Sequence, residues 1–298
     1  MSGDYASHFV TTQDGLKLHV RAYGPRSSEN LPVVCLPGLA RTGADFYELA
    51  LALSRDAGAP RQVIAVDYRG RGRSDYDRDA ANYSLAVELS DVLAVLAALG
   101  IGPAVFVGTS RGGILTMLLA AVRPAVIAGA VLNDIGPVIE PQGLARIKSY
   151  VGKMPQPTGY EDAGDILRRL FSGHFPKLTS DDWIAFARRT FEEREGKLVP
   201  SYDPKLVKTL EGIDINRPLA PLWKEFDALA RVPVMVIRGA NSDVLSPATV
   251  AAMRQRRTGL DVVEVPDQGH APLLSDAGSI RRIAAFVVCC EPAGGGVR

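Results

Sequence analysis

Short apolar runs separated by helix-length segments restrict the fold of this sequence more than any other feature. Five such runs lie at residues 33–36, 62–66, 104–107, 130–132 and 234–237, and a further strand candidate follows at 261–265. Runs of this length without polar alternation are typical of strands buried on both faces. Strands that alternate with helices favour βαβ units. The pattern therefore predicts an α/β protein with a mostly parallel sheet.

The segments between these runs have the length and the boundary residues of helices. They lie at residues 44–53, 84–99, 112–122, 247–256 and 275–288. Ser84 can cap the second segment at its start, and Gly100 and Gly102 can end it. Each strand candidate from residue 33 onward is therefore predicted to lead into a helix or to follow one.

The N-terminal residues predict a β-hairpin instead. Residues 9–12 and 16–23 are its strand candidates, and Gln13-Asp14-Gly15 supplies turn-forming residues between them. Apolar and polar residues alternate in the second strand, so one of its faces should be wet. We expect His8 and His19, which fall in this hairpin, to be solvated.

The alternation of strands and helices stops after Asp134 and resumes near Val232. Residues 135–230 contain many prolines and several amphipathic stretches, but no run typical of a buried strand. Four helices are predicted there, at residues 141–151, 160–171, 180–195 and 221–229. At 298 residues the chain is long for one ordinary domain. A single core interrupted once accounts for that length.

Composition and charge exclude several functional classes. The 34 basic and 33 acidic residues nearly cancel, so no overall charge favours binding to nucleic acid or to an anionic membrane. No stretch approaches the roughly 18 apolar residues of a membrane span, and the N-terminus does not resemble a secretory signal. The three cysteines lack metal-binding spacing and fit a reducing compartment. We expect a cytoplasmic protein that acts on a small molecule.

Residues 108–112, Gly-Thr-Ser-Arg-Gly, form a G-x-S-x-G motif. The bare pattern is common, but here it lies between a buried strand and a helix, which is the position that a nucleophilic serine requires. Glycines permit so tight a turn, and the N-terminus of a helix favours negative charge that develops there. Ser110 is therefore predicted to be a nucleophile.

A serine hydroxyl needs a base at neutral pH, and a histidine oriented by a carboxylate supplies it. Among the four histidines, His270 follows the last predicted strand, where the carboxyl ends of parallel strands meet the ligand crevice. His174 lies in the interruption, where we expect it to pack, with a place in a pocket as the alternative. Asp134 and Asp243 both follow strands and both precede His270 in the chain, so either can be the acid.

Together, these residues and four further segments resemble the α/β-hydrolase superfamily over nearly the whole chain. The segments are Leu36-Pro37-Gly38-Leu39, Asp67-Tyr68-Arg69-Gly70-Arg71-Gly72-Arg73-Ser74, Gly239–Asp243 with Pro247, and Gly269-His270. The resemblance implies an eight-stranded, mostly parallel sheet with an N-terminal antiparallel hairpin. It also implies a core formed by residues 1–134 and 231–298, and a helical cap, residues 135–230, inserted after the sixth strand.

The same resemblance implies roles for individual residues. It favours Asp243 over Asp134 as the acid that orients His270. The backbone N–H groups of Leu39 and Arg111 would form the oxyanion hole. This chain has Pro37-Gly38 where the family often has His-Gly, so a different support for that loop is expected.

The function that these residues predict is hydrolysis of a carboxylic ester or lactone of a small or medium-sized substrate, through an acyl-enzyme on Ser110. A C–C bond hydrolase or a cofactor-free perhydrolase would use the same triad, and a non-catalytic ligand receptor is the alternative from another class. Ser110 excludes the dehalogenases and epoxide hydrolases of this fold, which have an aspartate there. The sequence has no dinucleotide, phosphate-loop or His-Glu-x-x-His motif, so we expect no cofactor and no metal.

Two sets of residues are candidates for contacts with the substrate. Arg41 and Arg111 flank the two oxyanion segments, and either arginine is a candidate ligand for a substrate carboxylate. Aromatic residues of the interruption are candidates for an apolar pocket. They are Tyr150, Tyr160, Phe171, Phe175, Trp183 and Trp223.

Overall fold

A computed structural model describes residues 3–212, 214 and 219–292 of the chain. Its strands are β1 (Ala6–Thr11), β2 (Lys17–Tyr23), β3 (Val33–Leu36), β4 (Val63–Val66), β5 (Ala104–Thr109), β6 (Ile127–Asn133), β7 (Phe191–Arg194), β8 (Lys197–Pro200), β9 (Val234–Gly239) and β10 (Asp261–Val265). Eight of them form one sheet in the order β1-β2-β4-β3-β5-β6-β9-β10, while β7 and β8 form a separate hairpin. In the large sheet β2 pairs antiparallel with β1 and β4, and the other pairs are parallel. The predicted fold class is confirmed.

Helices flank both faces of this sheet. The α-helices are α1 (Tyr47–Ser54), α2 (Leu85–Leu99), α3 (Arg111–Val122), α4 (Pro141–Tyr150), α5 (Tyr160–Phe171), α6 (Ser180–Thr190), α7 (Lys208–Glu211), α8 (Trp223–Asp227), α9 (Pro247–Arg256) and α10 (Ala277–Cys289). Short 3₁₀ turns occupy Gly43–Phe46, Ala80–Asn82, Pro124–Val126 and Pro204–Val207. No helix among the described residues combines the length and apolar character needed to cross a membrane.

Alternate residues of the central strands belong to two separate apolar clusters. Val34 and Leu36 of β3 pack with residues of α2, α3, α8 and α9 on one face. Val33 and Cys35 of the same strand pack with α1 and α10 on the other face. Because both faces of β3 are covered, its sequence shows no polar alternation. The apolar runs are therefore a direct consequence of the two-sided burial.

Residues 135–230 contribute no strand to the large sheet within the described part of the chain. Helices α5 and α6 pack together around a third apolar cluster. Its members include Ala163, Leu167, Phe171, Phe175, Trp183, Phe186, Phe191 and Leu198. Because Thr179 and Asp182 form a capping box, α6 has a defined start. That residues 135–230 act as a cap stays a prediction.

The helix predicted at residues 180–195 is too long. It ends at Thr190, and β7 and β8 follow as an antiparallel hairpin. Glu195 and Gly196 connect these strands with φ values of 50° and 73°. Two successive residues with positive φ form the tight turn that matches the twist of a hairpin. The turn interrupts a polar segment that would otherwise suit a helix.

His19 is fully buried, so the prediction that it is solvated is wrong. Its Nδ1 lies 2.7 Å from Asp67 Oδ2, and its Nε2 lies 3.0 Å from Ser7 Oγ. Asp67 also accepts a hydrogen bond from the backbone N–H of Gly43 at 2.7 Å. The turn that begins at Asp67 contacts His19, whereas Lys17 on the same face of β2 is exposed and Arg21 is partly exposed. His8 is partly exposed.

Candidate active site

Ser110 occupies the sharp turn between β5 and α3. Its backbone has φ 50° and ψ −113°, a strained conformation for a residue with a side chain, and one that occurs at nucleophile elbows. Glycine is required on both sides by close packing. A Cβ at Gly112 would overlap the backbone oxygen of Leu36, and a Cβ at Gly108 would lie 2.5 Å from the carbonyl carbon of Gly112. Residues 108–112 therefore adopt the sharp turn that the G-x-S-x-G motif predicts.

Ser110, His270 and Asp134 form a continuous chain of hydrogen bonds. The Oγ of Ser110 lies 2.8 Å from Nε2 of His270, and Nδ1 of the same ring lies 2.8 Å from Oδ2 of Asp134. Asp134 is fully buried, and the His270 side chain is 6% exposed. The carboxylate can only accept, so Nδ1–H donates to it, which leaves Nε2 free to accept from the serine hydroxyl. The geometry thus brings together the predicted nucleophile and the predicted base.

Asp134 follows β6 and is held by groups from the end of β9. The backbone N–H of Gly239 donates to Oδ1 at 2.8 Å, and the hydroxyl of Ser242 donates to Oδ2 at 2.5 Å. The Ser242 oxygen itself accepts from the N–H groups of Val244 and Leu245 at 3.2 and 3.1 Å. Because two donors point at this oxygen, its own hydrogen is directed to Asp134. Sequence reasoning missed Ser242, although it lies inside the segment expected to carry the acid.

The structure corrects the expectation that Asp243 orients His270. Both carboxylate oxygens of Asp243 are bound by Arg146 of α4, with Nε–Oδ2 at 2.6 Å and Nη2–Oδ1 at 2.8 Å. His174 Nε2 lies 3.8 Å from the same carboxylate. Burial raises the pKa of Asp243, but the Arg146 hydrogen bonds hold that pKa below its ordinary value. Because Arg146 occupies this carboxylate, Asp134 takes the place beside the histidine.

The N–H groups of Leu39 and Arg111, expected to form the oxyanion hole, donate to no other group in residues 3–212, 214 and 219–292. Arg111 is the first residue of α3, where backbone N–H groups have no partner within the helix. The Leu39 loop is supported by Tyr68, whose hydroxyl donates to the Pro37 carbonyl at 3.2 Å, and by Arg71, whose Nε donates to the Leu39 carbonyl at 2.9 Å. These two side chains give the loop support that differs from the family's usual His-Gly. Use of the two N–H groups as an oxyanion hole stays a prediction.

A cavity that is partly open to solvent is lined by Ser110 and His270. Its apolar lining comes mostly from the residues between β6 and β9. These are Ile147, Tyr150, Val151, Met154, Leu167, Phe171, Phe175, Phe186 and Tyr202. Of the six aromatic candidates, three line the cavity. Tyr160 and Trp183 pack in the third cluster, and Trp223 packs against Phe226.

Arg41 lines the cavity, but its guanidinium is already paired. It forms a two-pronged ion pair with Asp45, with Nε–Oδ2 at 2.7 Å, and Nη1 donates to Thr190 Oγ1 at 2.5 Å. The Arg111 side chain turns away to Glu88 and to the Tyr83 carbonyl. Neither arginine therefore presents an uncompensated charge to the cavity, and this argues against the carboxylate-binding role considered for them.

Comparisons with known proteins agree with this fold. Residues 33–282 match the model of the Alpha/beta hydrolase family. A 3-hydroxybutyrate-oligomer hydrolase from Cupriavidus necator is 34% identical over 291 residues, which cover 94% of this chain and 97% of that protein. A 2-(acetamidomethylene)succinate hydrolase from Mesorhizobium japonicum is 27% identical, over an alignment that covers 91% of this chain and 92% of that protein. A solved alpha/beta hydrolase from Novosphingobium aromaticivorans superposes with a TM-score of 0.88 at 39% identity, covering 97% of this chain and 99% of that one.

Proposed function

Because the chain belongs to the alpha/beta hydrolase family and its relatives support an ester-acting hydrolase, we propose that it cleaves a carboxylic ester through an acyl-enzyme on Ser110. The observation that carries this proposal is the hydrogen-bonded chain from Ser110 through His270 to Asp134. A serine at an elbow, a histidine in contact with it and a buried carboxylate behind the histidine match the roles of nucleophile, base and orienting acid.

The proposed reaction has two halves. As the Ser110 oxygen attacks the ester carbonyl, His270 takes the hydroxyl proton, and Asp134 stabilises the imidazolium that forms. The N–H groups of Leu39 and Arg111 bind the oxyanion. Collapse of the tetrahedral intermediate breaks the bond to the alcohol, which leaves with the proton from His270. Water then attacks the acyl-enzyme by the same route and releases the acid and free Ser110.

The cavity supports esters of small or medium size with apolar acyl chains, because its lining is dominated by aromatic and aliphatic side chains. The name of the relative at 34% identity adds a more specific candidate. We propose short esters of hydroxy acids, with the 3-hydroxybutyrate dimer as the first to be tried, alongside simple lactones. Residues 135–230, which supply most of the lining, are proposed to be the cap that selects among them.

The first experiment compares the protein with its Ser110→Ala variant on p-nitrophenyl butyrate and the 3-hydroxybutyrate dimer. Removal of the nucleophile should lower kcat/KM by at least about 10³-fold. A fluorophosphonate should phosphonylate Ser110 with loss of fluoride, so the mass of the phosphonyl group should appear on the protein but not on the variant. Ser172→Ala is the matched control, because this serine is exposed and should be replaceable without effect on either readout.

Other outcomes would point to other functions. Turnover that survives Ser110→Ala in a folded protein would overturn the proposed mechanism. Hydrolysis of a vinylogous diketone in preference to every ester would indicate a C–C bond hydrolase, and formation of a peracid from hydrogen peroxide would indicate a perhydrolase. Binding of esters without turnover or labelling would indicate a receptor.

A further inference from the structure

The two proposed oxyanion donors belong to different parts of the fold. Leu39 lies in the loop after β3, whereas Arg111 begins α3. An oxyanion hole stabilises the transition state only if its donors are fixed before the reaction at the place where the negative charge develops. A loop that is free to move by about 1 Å would lose much of that effect. The structure should therefore contain groups that fix Leu39 relative to Arg111.

Three side chains connect these two residues beneath the site, and we call Arg71, Glu88 and Arg111 the strut. Arg71 Nε donates to the carbonyl of Leu39 at 2.9 Å. Arg71 Nη1 lies 2.7 Å from Glu88 Oε1, and Arg111 Nε lies 2.5 Å from Glu88 Oε2. One carboxylate thus joins the arginine that holds the Leu39 loop to the side chain of the residue that carries the second donor.

The strut is buried and is anchored at both ends. The side chains of Arg71 and Glu88 have no solvent exposure, and that of Arg111 is 13% exposed. Arg71 Nη1 also donates to the Arg69 carbonyl at 2.6 Å, and Arg111 Nη2 donates to the Tyr83 carbonyl at 3.0 Å. Both guanidinium groups that contact Glu88 are therefore also tied to the backbone.

Charge distinguishes the strut from an ordinary structural ion pair. Burial alone would raise the pKa of Glu88, but the guanidinium groups of Arg71 and Arg111 hold it below its ordinary value, so the carboxylate is ionised at neutral pH. Two cations around one anion leave one net positive charge. Buried charges of this kind are costly to desolvate, and apolar replacements are often at least as stable. Stability alone therefore does not account for the strut.

We propose that Glu88 and Arg71 are positioning residues that hold the N–H groups of Leu39 and Arg111 at the spacing the oxyanion requires. This inference rests on the proposed function, because it assigns a purpose to the same pair of N–H donors. It adds residues that do not line the cavity and do not touch the substrate.

The test measures kcat and KM separately for Glu88→Gln. Loss of the carboxylate charge leaves the guanidinium groups of Arg71 and Arg111 unbalanced, so Arg71 should hold the Leu39 carbonyl less firmly. We expect kcat to fall by about 10- to 100-fold while KM changes by less than about threefold, because only the transition state carries the oxyanion. A trifluoromethyl ketone, whose adduct with Ser110 bears the same oxyanion, should lose affinity by the same factor as kcat. The alcohol product, which has no oxyanion, should bind unchanged.

Two further variants keep the test decisive. Asp91→Asn is the matched control, because Asp91 is also a buried carboxylate of α2 and binds Arg69 at 2.7 Å through each oxygen, without contact to the strut. It should lower the free energy of unfolding but leave kcat within about twofold. If Glu88→Gln fails to fold, Arg111→Met replaces it, because that change leaves the Arg71–Glu88 pair balanced and keeps the backbone N–H.

The outcomes separate this inference from the proposed function. If the unmodified protein shows no turnover that depends on Ser110, the proposed function fails and the strut has no oxyanion to serve. If the protein does show such turnover, an unchanged kcat in folded Glu88→Gln or Arg111→Met overturns only the proposed positioning role of the strut. An equal loss of kcat in Asp91→Asn would also overturn it, because the effect would then follow from damage to α2.

Discussion

Asp134 and Asp243 follow neighbouring strands of the sheet, yet their surroundings differ. β6 and β9 pair in parallel, so both aspartates emerge at the same edge. Asp134 is fully buried and contacts His270, whereas the Asp243 side chain is 22% exposed and is bound at both oxygens by Arg146. Position at a strand end therefore identifies candidates for an orienting acid, but it does not choose between them.

The groups that donate hydrogen bonds to each aspartate explain the difference between them. The groups that hold Asp134, the N–H of Gly239 and the hydroxyl of Ser242, are neutral. Its negative charge is therefore available to an imidazolium. The charge of Asp243 is neutralised by a guanidinium that reaches it from α4. An aspartate that is already paired with an arginine can link residues 135–230 to the rest of the chain. It gives little stabilisation to a second cation such as an imidazolium.

The largest effect that would test this comparison is expected for Asp134→Asn. An amide keeps the shape of the side chain but cannot stabilise the imidazolium or enforce the tautomer that Ser110 needs, so kcat should fall by about 10³- to 10⁴-fold. Steady-state kinetics at pH 7, with the melting temperature as a check on folding, measure this. A larger loss of kcat in Asp243→Asn than in Asp134→Asn would reverse the assignment.

A smaller effect is expected for Ser242→Ala. The variant removes one donor from Asp134 and leaves the Gly239 N–H and His270 Nδ1–H, so the carboxylate is held less firmly and kcat should fall by about tenfold. Ser242→Thr keeps the hydroxyl and should recover most of the activity. Ser246→Ala removes a nearby hydroxyl that caps α9 instead, and it should lower stability without lowering kcat. Activity lost equally in all three variants would argue against a positioning role for Ser242.

The smallest effect on turnover is expected for Asp243→Asn, with kcat within about threefold of the unmodified protein. The free energy of unfolding should drop by about 1 kcal/mol at pH 7, a modest value because both side chains of the pair are partly exposed. The pKa of Asp243 is lower in the folded protein than its ordinary value, so this contribution is present at neutral pH and is lost as the pH falls through that lowered pKa. Urea unfolding at pH 7 and pH 3 should show the difference between the two proteins shrinking. A difference that grew on acidification would contradict the ion pair.

Local signals in the sequence predicted the sheet and the position of Ser110 at a strand-to-helix turn. The bounds of β3 agree with the predicted run because two-sided burial leaves its mark on consecutive residues. The bounds of β10 also agree with the prediction, although this edge strand is only partly buried. Ser110 was identified because a serine flanked by glycines, at a strand-to-helix turn, constrains its own backbone. His270 followed from its place after the last strand. These features depend on neighbours in the chain.

Features that depend on distant partners were predicted poorly. Arg146 binds Asp243 across 97 residues of sequence, and no sequence pattern around either residue predicts this ion pair. His19 faces Asp67 across 48 residues, so alternation within its strand could not reveal its burial. The strut was also missed because its members are distant in sequence. In the sequence, Glu88 has the position of a polar residue in an ordinary amphipathic helix.

The hydrogen bonds that hold Asp134 have a consequence for synthesis on the ribosome. Asp134 and Ser110 emerge before residues 135–230, whereas Gly239, Ser242 and His270 emerge after them. The bonds to Asp134 span 105, 108 and 136 residues, and contacts of such separation form late. A nascent chain therefore carries the proposed nucleophile, Ser110, long before it carries the proposed base, His270. Under the proposed mechanism, esterase activity is among the last properties this chain acquires, and a chain that ends before residue 270 should be inert towards esters.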